Sequence, residues 1–495
     1  MKKLIWSTVI ILFCCIGVYL KFYNNQENMP TGCDEFGYLN LAKAFDNKTV
    51  YKDHTQRPYL NELLDTLRDS DIEENEIEWM IVPHAYYVIP NTEKIINQYP
   101  PGTSFLLSYI SLPNRKQMFS FLAIFLVLTL PIIVLGKSNG LKAGWFYVAL
   151  LLFVLIMTVS SPFLTELTRI NSLALTFGML IAAGMVLETK PLLSCLLIAL
   201  SVNFRVINIL MLIPLISFIS WPLPLKKEEM PKLLGIGLKH LTITLLAMLP
   251  YFLYVYFLLG NPLIPTYSSI DTATTINIFD NILYYINLSQ GWFIFHVILI
   301  LALFTFFYYK KINKIMFLKL LIFPIINYLF FIFHKVQINY YPYASSFILL
   351  GFIFYKLKCI YVDEKYYKFI AILCFIFPVF ILLDGGVQYF SKTHKNFHEK
   401  KNEYLALCSY DIVWGDILSG TSEYVCDNNG FKYGATSSRA RILALKFLQR
   451  RKYTQAILLN DNLVAKSDII NELGLYDIKF HLITDKLIGE ILVID

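Results

Sequence analysis

Apolar runs of about 17 to 22 residues recur through most of this chain, and each is long enough to cross the roughly 30 Å hydrocarbon layer of a bilayer as a helix. They lie near residues 4–20, 117–136, 143–161, 171–187, 191–204, 206–222, 241–259, 291–309, 315–333, 343–357 and 368–388. The fifth and sixth form one apolar stretch interrupted at Asn203-Phe204-Arg205. That stretch reads either as two crossings or as one long helix with a re-entrant segment. Only 16% of the 495 residues are charged, against 56% hydrophobic, whereas a soluble protein carries about 25% charged residues. An ordinary soluble enzyme is therefore excluded. The net charge of +7 does not point to nucleic acid, because the lysines fall between apolar runs instead of forming one stripe.

Those lysines set the orientation. With the N-terminus inside, the inner segments hold Lys2, Lys3, Lys137, Lys142, Lys190, Lys226, Lys227, Lys310, Lys311, Lys356 and Lys358, among others. The short outer loops after the fourth crossing hold only Arg205 and Lys335. The bias follows the positive-inside rule. The expected fold is thus a mainly α, polytopic protein of the plasma (inner) membrane with about eleven transmembrane helices. An odd number of crossings leaves the first loop, 21–116, and the C-terminal segment both outside. Lys2 and Lys3 ahead of an apolar core resemble a signal peptide, but Lys21-Phe22-Tyr23 follows instead of small residues. An uncleaved signal anchor is the reading that fits.

The polar mass forms two pieces. In the first loop, DEFGYLNLAKAF suggests an amphipathic helix lying at the membrane interface, RPYLNELLDTLRDSD a second helix, and INQYPPGTSFLLSYISLP a Pro-Pro-Gly break followed by an apolar helix too short to span. From about residue 391 the chain reads as a small extracytoplasmic α/β domain appended to a membrane domain of residues 1–390. YDIVWGD, AILLND and EILVID read as its strands, and SSRARILALKFLQRR and DNLVAKSDIINELG as helices between them. Cys408 and Cys426 share this domain, where an oxidising compartment would allow them to pair; the spacing leaves their pairing open.

Polar residues that a bilayer penalises persist mainly where they face a cavity or a site. At the outer face these are Asp34, Glu35, His84, Tyr99, Glu166, Arg169, Arg205, Asp271, Lys335 and Tyr341. Each has a plain alternative. Asp34 and Glu35 suit the first turn of a helix, Glu166 and Arg169 have the spacing of a local helical ion pair, and Arg205 has the reach to snorkel from a helix end. His84, Asp271 and Tyr341 suit local hydrogen bonds, a loop and an interfacial belt. Their sharing of one membrane face is what favours a common site.

Four segments in order, Asp34-Glu35 within DEFGYLNLAKAF, NQYPPGTSFLLSY, GNPLIPTYSS and NYYPYASSF, resemble the GT-C superfamily of polytopic glycosyltransferases over residues 1 to about 390. Its members include protein O-mannosyltransferases and the bacterial aminoarabinose and lipopolysaccharide-core transferases. The resemblance implies transfer of a sugar from a polyprenyl-phosphate carrier to a glycan, lipid or protein acceptor on the outer face, with inversion at the anomeric carbon. The family's base then falls on Asp34, with Glu35 and Glu166 as the other acidic candidates. Arg169 and Arg205 are the candidates to meet the leaving phosphate, since a guanidinium fork matches phosphate oxygens. His84, Tyr99, Asp271, Lys335 and Tyr341 complete the expected substrate-binding set. The resemblance leaves dependence on a divalent metal open. Two other classes compete: a secondary transporter, which would favour repeated halves and broken helices, and a lipid-linked glycan polymerase or ligase, which would carry its main polar loop late in the chain.

Overall fold

A computed structural model describes residues 33–48, 57–135 except 58, 90–91 and 112–114, residues 170–220, 230–334 except 264–265, 267–276 and 288–290, residues 341–359, and 406–495 except 417, 435, 462–463 and 486–488. The expected crossings near 4–20, 143–161 and 368–388, and with them the signal anchor, lie outside the described residues.

In chain order the described helices begin with α1 (Cys33–Asp46), α2 (Leu60–Asp69), α3 (Glu74–Met80), α4 (Pro101–Ser108), α5 (Arg115–Leu135), α6 (Ala174–Val186) and α7 (Pro191–Val202). A 3-10 turn, Val206–Met211, leads into α8 (Leu212–Ser220), followed by α9 (Met230–Leu259), α10 (Ile278–Ile286), α11 (Gly291–Tyr308), α12 (Lys314–Ile332) and α13 (Tyr343–Cys359). The C-terminal part holds α14 (Leu418–Cys426), α15 (Ser438–Arg450) and α16 (Lys466–Leu475). Strands β1 (Tyr86–Val88) and β2 (Ile95–Asn97) form a hairpin in the first loop. Strands β3 (Ile412–Trp414), β4 (Asn429–Phe431), β5 (Gln455–Leu458), β6 (Phe480–Asp485) and β7 (Gly489–Ile494) lie near the C-terminus.

Two compact units result: one of residues 1–23, 116–253 and 271–390, the other of 24–115, 254–270 and 391–495. This division differs from a boundary near residue 390, because the first loop and the C-terminal segment fall in one unit.

The helical unit has lipid as its solvent. Along α9, Leu234, Leu238, Leu241, Leu245, Leu249 and Leu253 recur at helical spacing and are all exposed. Ile315, Leu318, Ile325 and Leu329 do the same on α12. A soluble protein turns such stripes inward, since apolar patches larger than a few hundred Å² are rare on its surface. Among the described residues, Leu234–Leu259 and Lys314–Ile332 are long and apolar enough to cross a membrane; the other apolar helices are shorter.

At Asn203 the apolar stretch does break. Helix α7 ends at Val202, Arg205 is extended (φ −147°, ψ 108°), and the 3-10 turn follows, so one continuous helix is ruled out. The Asn203 side chain also repairs α9. Its amide donates to the Ala247 carbonyl (2.8 Å) and accepts from the Tyr251 N–H (3.0 Å), bridging one rung of the helical ladder next to Pro250. Backbone groups displaced by a proline must find such a partner in hydrocarbon.

In the other unit α1 is the central element. Phe36, Leu39, Leu41 and Ala42 are buried, but so are Glu35 and Tyr38. From Glu35 to Leu39 the helix is covered on all sides instead of presenting one apolar face, so the amphipathic pattern expected of an interfacial helix is not what is seen. Its coat comes from the hairpin, α4 and α14. Phe36 packs on Tyr86 (ring centroids 5.7 Å) and against Gly420, Tyr38 stacks on Tyr99 (4.8 Å), and Ser104 donates to the Tyr38 carbonyl (3.0 Å).

The C-terminal sheet runs β4-β3-β5-β7-β6, parallel between β4, β3 and β5 and antiparallel on both sides of β7. Ile412, Val413 and Trp414 of β3 are fully buried, as a parallel strand covered on both faces should be. Beyond the three strands expected, β4 and β6 are additional. Cys408 and Cys426 form a disulfide. First-loop residues lock onto this sheet region. Arg57 pairs with Glu423 (2.8 Å), both buried, and Glu423 also accepts from the Gly430 N–H (2.9 Å). Breaking such a pair costs far more than its formation contributes.

Candidate active site

The Asp34 carboxylate sits in the first turn of α1, half-buried, and accepts a hydrogen bond from the Tyr99 hydroxyl at 2.7 Å. The reason Tyr99 reaches it is local. Asn97, at the end of β2, donates to the Gly37 carbonyl (2.8 Å) and accepts from the Tyr99 N–H (2.8 Å), so one amide ties the hairpin to α1 and aims the next side chain but one. Pro100 then caps a helix that Pro101 starts, where a missing N–H costs nothing. Gly37 is needed here: a Cβ would stand 2.5 Å from the Tyr99 ring and 2.7 Å from the Ala85 side chain.

Glu35 differs from its neighbour. It is 2% exposed, whereas Asp34 is only half-buried. His84 stands in the turn before β1, and the next residue, Ala85, accepts from the Gln98 N–H (3.0 Å). Burial, with the Lys432 charge second, pushes the His84 imidazole down to about 3, so it is neutral at ordinary pH. A neutral ring serves as a hydrogen-bonding group and not as a cation for phosphate.

The second cluster belongs to the helical unit. Arg205 donates to the Ser172 hydroxyl (2.8 Å) and lies over the rings of Tyr341 (5.4 Å from Cζ to centroid) and Tyr343 (5.6 Å). Its residue is 8% exposed. The two rings and the Ser172 hydroxyl fix where the guanidinium lies. Tyr343 is fixed in turn. Its hydroxyl donates to Asn208 (2.9 Å) and lies 3.0 Å from the Thr176 hydroxyl, while Asn208 donates to Ser201 (3.1 Å). Asn171 accepts from the N–H groups of Leu173 and Ala174, closing the start of α6 beside Ser172.

The structure thus brings Asp34 and Tyr99 together, and separately Arg205 and Tyr341. Glu166, Arg169, Asp271 and Lys335 lie outside the described residues. Among the described residues no three His, Cys, Asp or Glu side chains gather at a metal-sized site. Asn97 and Tyr343 lie in the NQYPPGTSFLLSY and NYYPYASSF segments singled out from the sequence, though without a role of their own, while Ser172 and Asn208 were missed. For Asn208 the signal was present, as a polar residue in an apolar run; for Ser172 only the fold shows it.

No family model matches the sequence, and no curated protein matches it. A solved structure does match the fold end to end: the crystal structure of ArnT from Cupriavidus metallidurans bound to undecaprenyl phosphate, at a TM-score of 0.57 and 8% identity, covering 98% of this chain and 97% of that one.

Proposed function

We propose that this chain, which has the GT-C fold, is a membrane glycosyltransferase that moves a sugar from a polyprenyl-phosphate carrier to an acceptor on the outer face of the plasma membrane. The observation that carries the reading is the end-to-end likeness to a protein solved with a polyprenyl phosphate. The site residues supply matching chemistry.

In this reading the membrane is crossed about eleven times, with the N-terminus inside and the first loop and C-terminal domain outside. Asp34 is the general base. An acceptor hydroxyl is a poor nucleophile until a carboxylate within hydrogen-bond reach takes its proton during attack. The Tyr99 hydroxyl, 2.7 Å from one carboxylate oxygen, orients the group. Attack from the face opposite the leaving phosphate inverts the anomeric carbon. Charge then builds on the departing lipid phosphate, and cationic donors held in advance stabilise it most where it is greatest. Arg205 fills that role, with Arg169 and Lys335 as further cations and Glu166 and Asp271 as acceptor contacts.

Mass spectrometry of lipid-linked sugars and outer-face glycans tests the reading in cells with and without the chain. Loss of the chain should leave one polyprenyl-phosphate sugar accumulated and one glycan, glycolipid or glycoprotein short by that sugar. Unchanged pools of both would contradict it.

A further inference from the structure

Three helix ends of the helical unit enclose a buried polar cluster that the proposed chemistry does not use. His296, the sixth residue of α11, is 1% exposed. Its Nε2 lies 2.8 Å from the hydroxyls of both Ser345 and Ser346, and its Nδ1 lies 3.0 Å from Ser346 and 3.1 Å from the Tyr328 hydroxyl. Asn327 of α12 donates to the Pro342 carbonyl (2.7 Å) and to Ser345 (3.1 Å), and Ser345 donates to the same carbonyl (3.1 Å). An imidazole, two hydroxyls and an amide are costly inside a membrane protein, where a leucine fills the space without solvation loss. They therefore need a purpose.

The cluster is tied to the turn Tyr341-Pro342-Tyr343 by the Pro342 carbonyl, which Asn327 and Ser345 hold and which His296 reaches through Ser345. Pro342 brings no N–H of its own to the start of α13. The two tyrosines flanking Pro342 are the rings under the Arg205 guanidinium. We propose that His296 is a positioning residue for the lipid-phosphate site: through Ser345, and with Asn327, it holds this turn and so sets where the Arg205 guanidinium lies. The inference rests on the reading that Arg205 meets the carrier phosphate.

The test is direct binding of a polyprenyl phosphate to the purified full chain in detergent, with the matching polyprenyl alcohol as the control ligand. His296→Leu should weaken phosphate binding about tenfold and leave alcohol binding and Tm unchanged. His296→Asn, which restores a hydrogen-bonding group, should recover most of the loss. Arg205→Ala should lose more than either. Where His296→Leu fails to fold, the double variant Ser345→Ala with Ser346→Ala removes the same hydrogen bonds at little cost in volume and should weaken phosphate binding about threefold. Equal loss of phosphate and alcohol would make the cluster structural only and overturn the inference. Parent-like phosphate binding in His296→Leu, with Arg205→Ala impaired, would overturn it too while leaving the phosphate site standing. Parent-like binding in Arg205→Ala would overturn the phosphate site and the inference together.

Discussion

Asp34→Asn lowers sugar transfer by about 10² to 10⁴, the usual cost of losing a general base, while binding of the lipid donor and Tm stay close to the parent. The substitution isolates one property. Asparagine keeps the size, its carbonyl oxygen still accepts from the Tyr99 hydroxyl, and it serves a helix start as well as aspartate does. What it cannot do is take the acceptor's proton. Single-turnover assays with saturating donor separate the chemical step from binding. Glu35→Gln is the comparison: Glu35 is 2% exposed, so its loss should show in Tm before it shows in the rate. A dead Glu35→Gln beside an active Asp34→Asn would exchange their roles, and activity in both would move the base to Glu166.

Gly351→Leu separates two helices that the arginine site depends on. Helices α6 and α13 cross with glycine against backbone on both sides. A Cβ on Gly184 would stand 2.0 Å from the Ile348 carbonyl oxygen, and one on Gly351 would stand 1.9 Å from that of Ile181. Neither obstacle is a side chain that can swing away. In a bilayer, where burial adds little to helix association, such close backbone approach is the main source of packing energy. The same crossing stacks Phe177 on Phe347 (4.4 Å) and brings the Tyr343 hydroxyl to Thr176. Gly351→Leu should therefore destabilise the protein by on the order of 3 kcal/mol, the upper end for overpacking, and lower Tm by several degrees. Donor binding should fall with it because Tyr343 is displaced. A parent-like Tm would contradict the glycine-to-backbone crossing.

What the sequence made legible was what its local patterns encode. The apolar runs gave α5, α6, α7, α11, α12 and α13 near their observed bounds and the end of α9, whose start lies at Met230 and not near 241, and Pro100-Pro101-Gly102 marked the start of α4. The three apolar segments of the C-terminal domain gave β3, β5 and β7. Strand β4 was hidden because Asn429-Gly430-Phe431 is three residues long and begins like a turn. Strand β6 was hidden because Leu482 and Ile483, on opposite faces, are both exposed at a sheet edge. Long-range packing was not legible. Nothing near Arg57 announces Glu423, 366 positions away, and so the first loop's union with the C-terminal segment came only from the fold. In the site, Asp34, Tyr99, Arg205 and Tyr341 were each readable as polar or aromatic residues at one membrane face. Their pairing was not, because it depends on the Asn97 amide and on the α6–α13 crossing.

The most direct test of the account is the fate of the bond between sugar and lipid phosphate. Purified protein in proteoliposomes, given the lipid-linked sugar that accumulates in cells lacking the chain together with its acceptor, should release one polyprenyl phosphate for each sugar joined. Asp34→Asn should release almost none. Passage of the intact lipid-linked sugar across the bilayer without cleavage, or release of polyprenyl diphosphate with a whole glycan joined, would contradict the account: the first would make the chain a transporter and the second a polymerase or ligase.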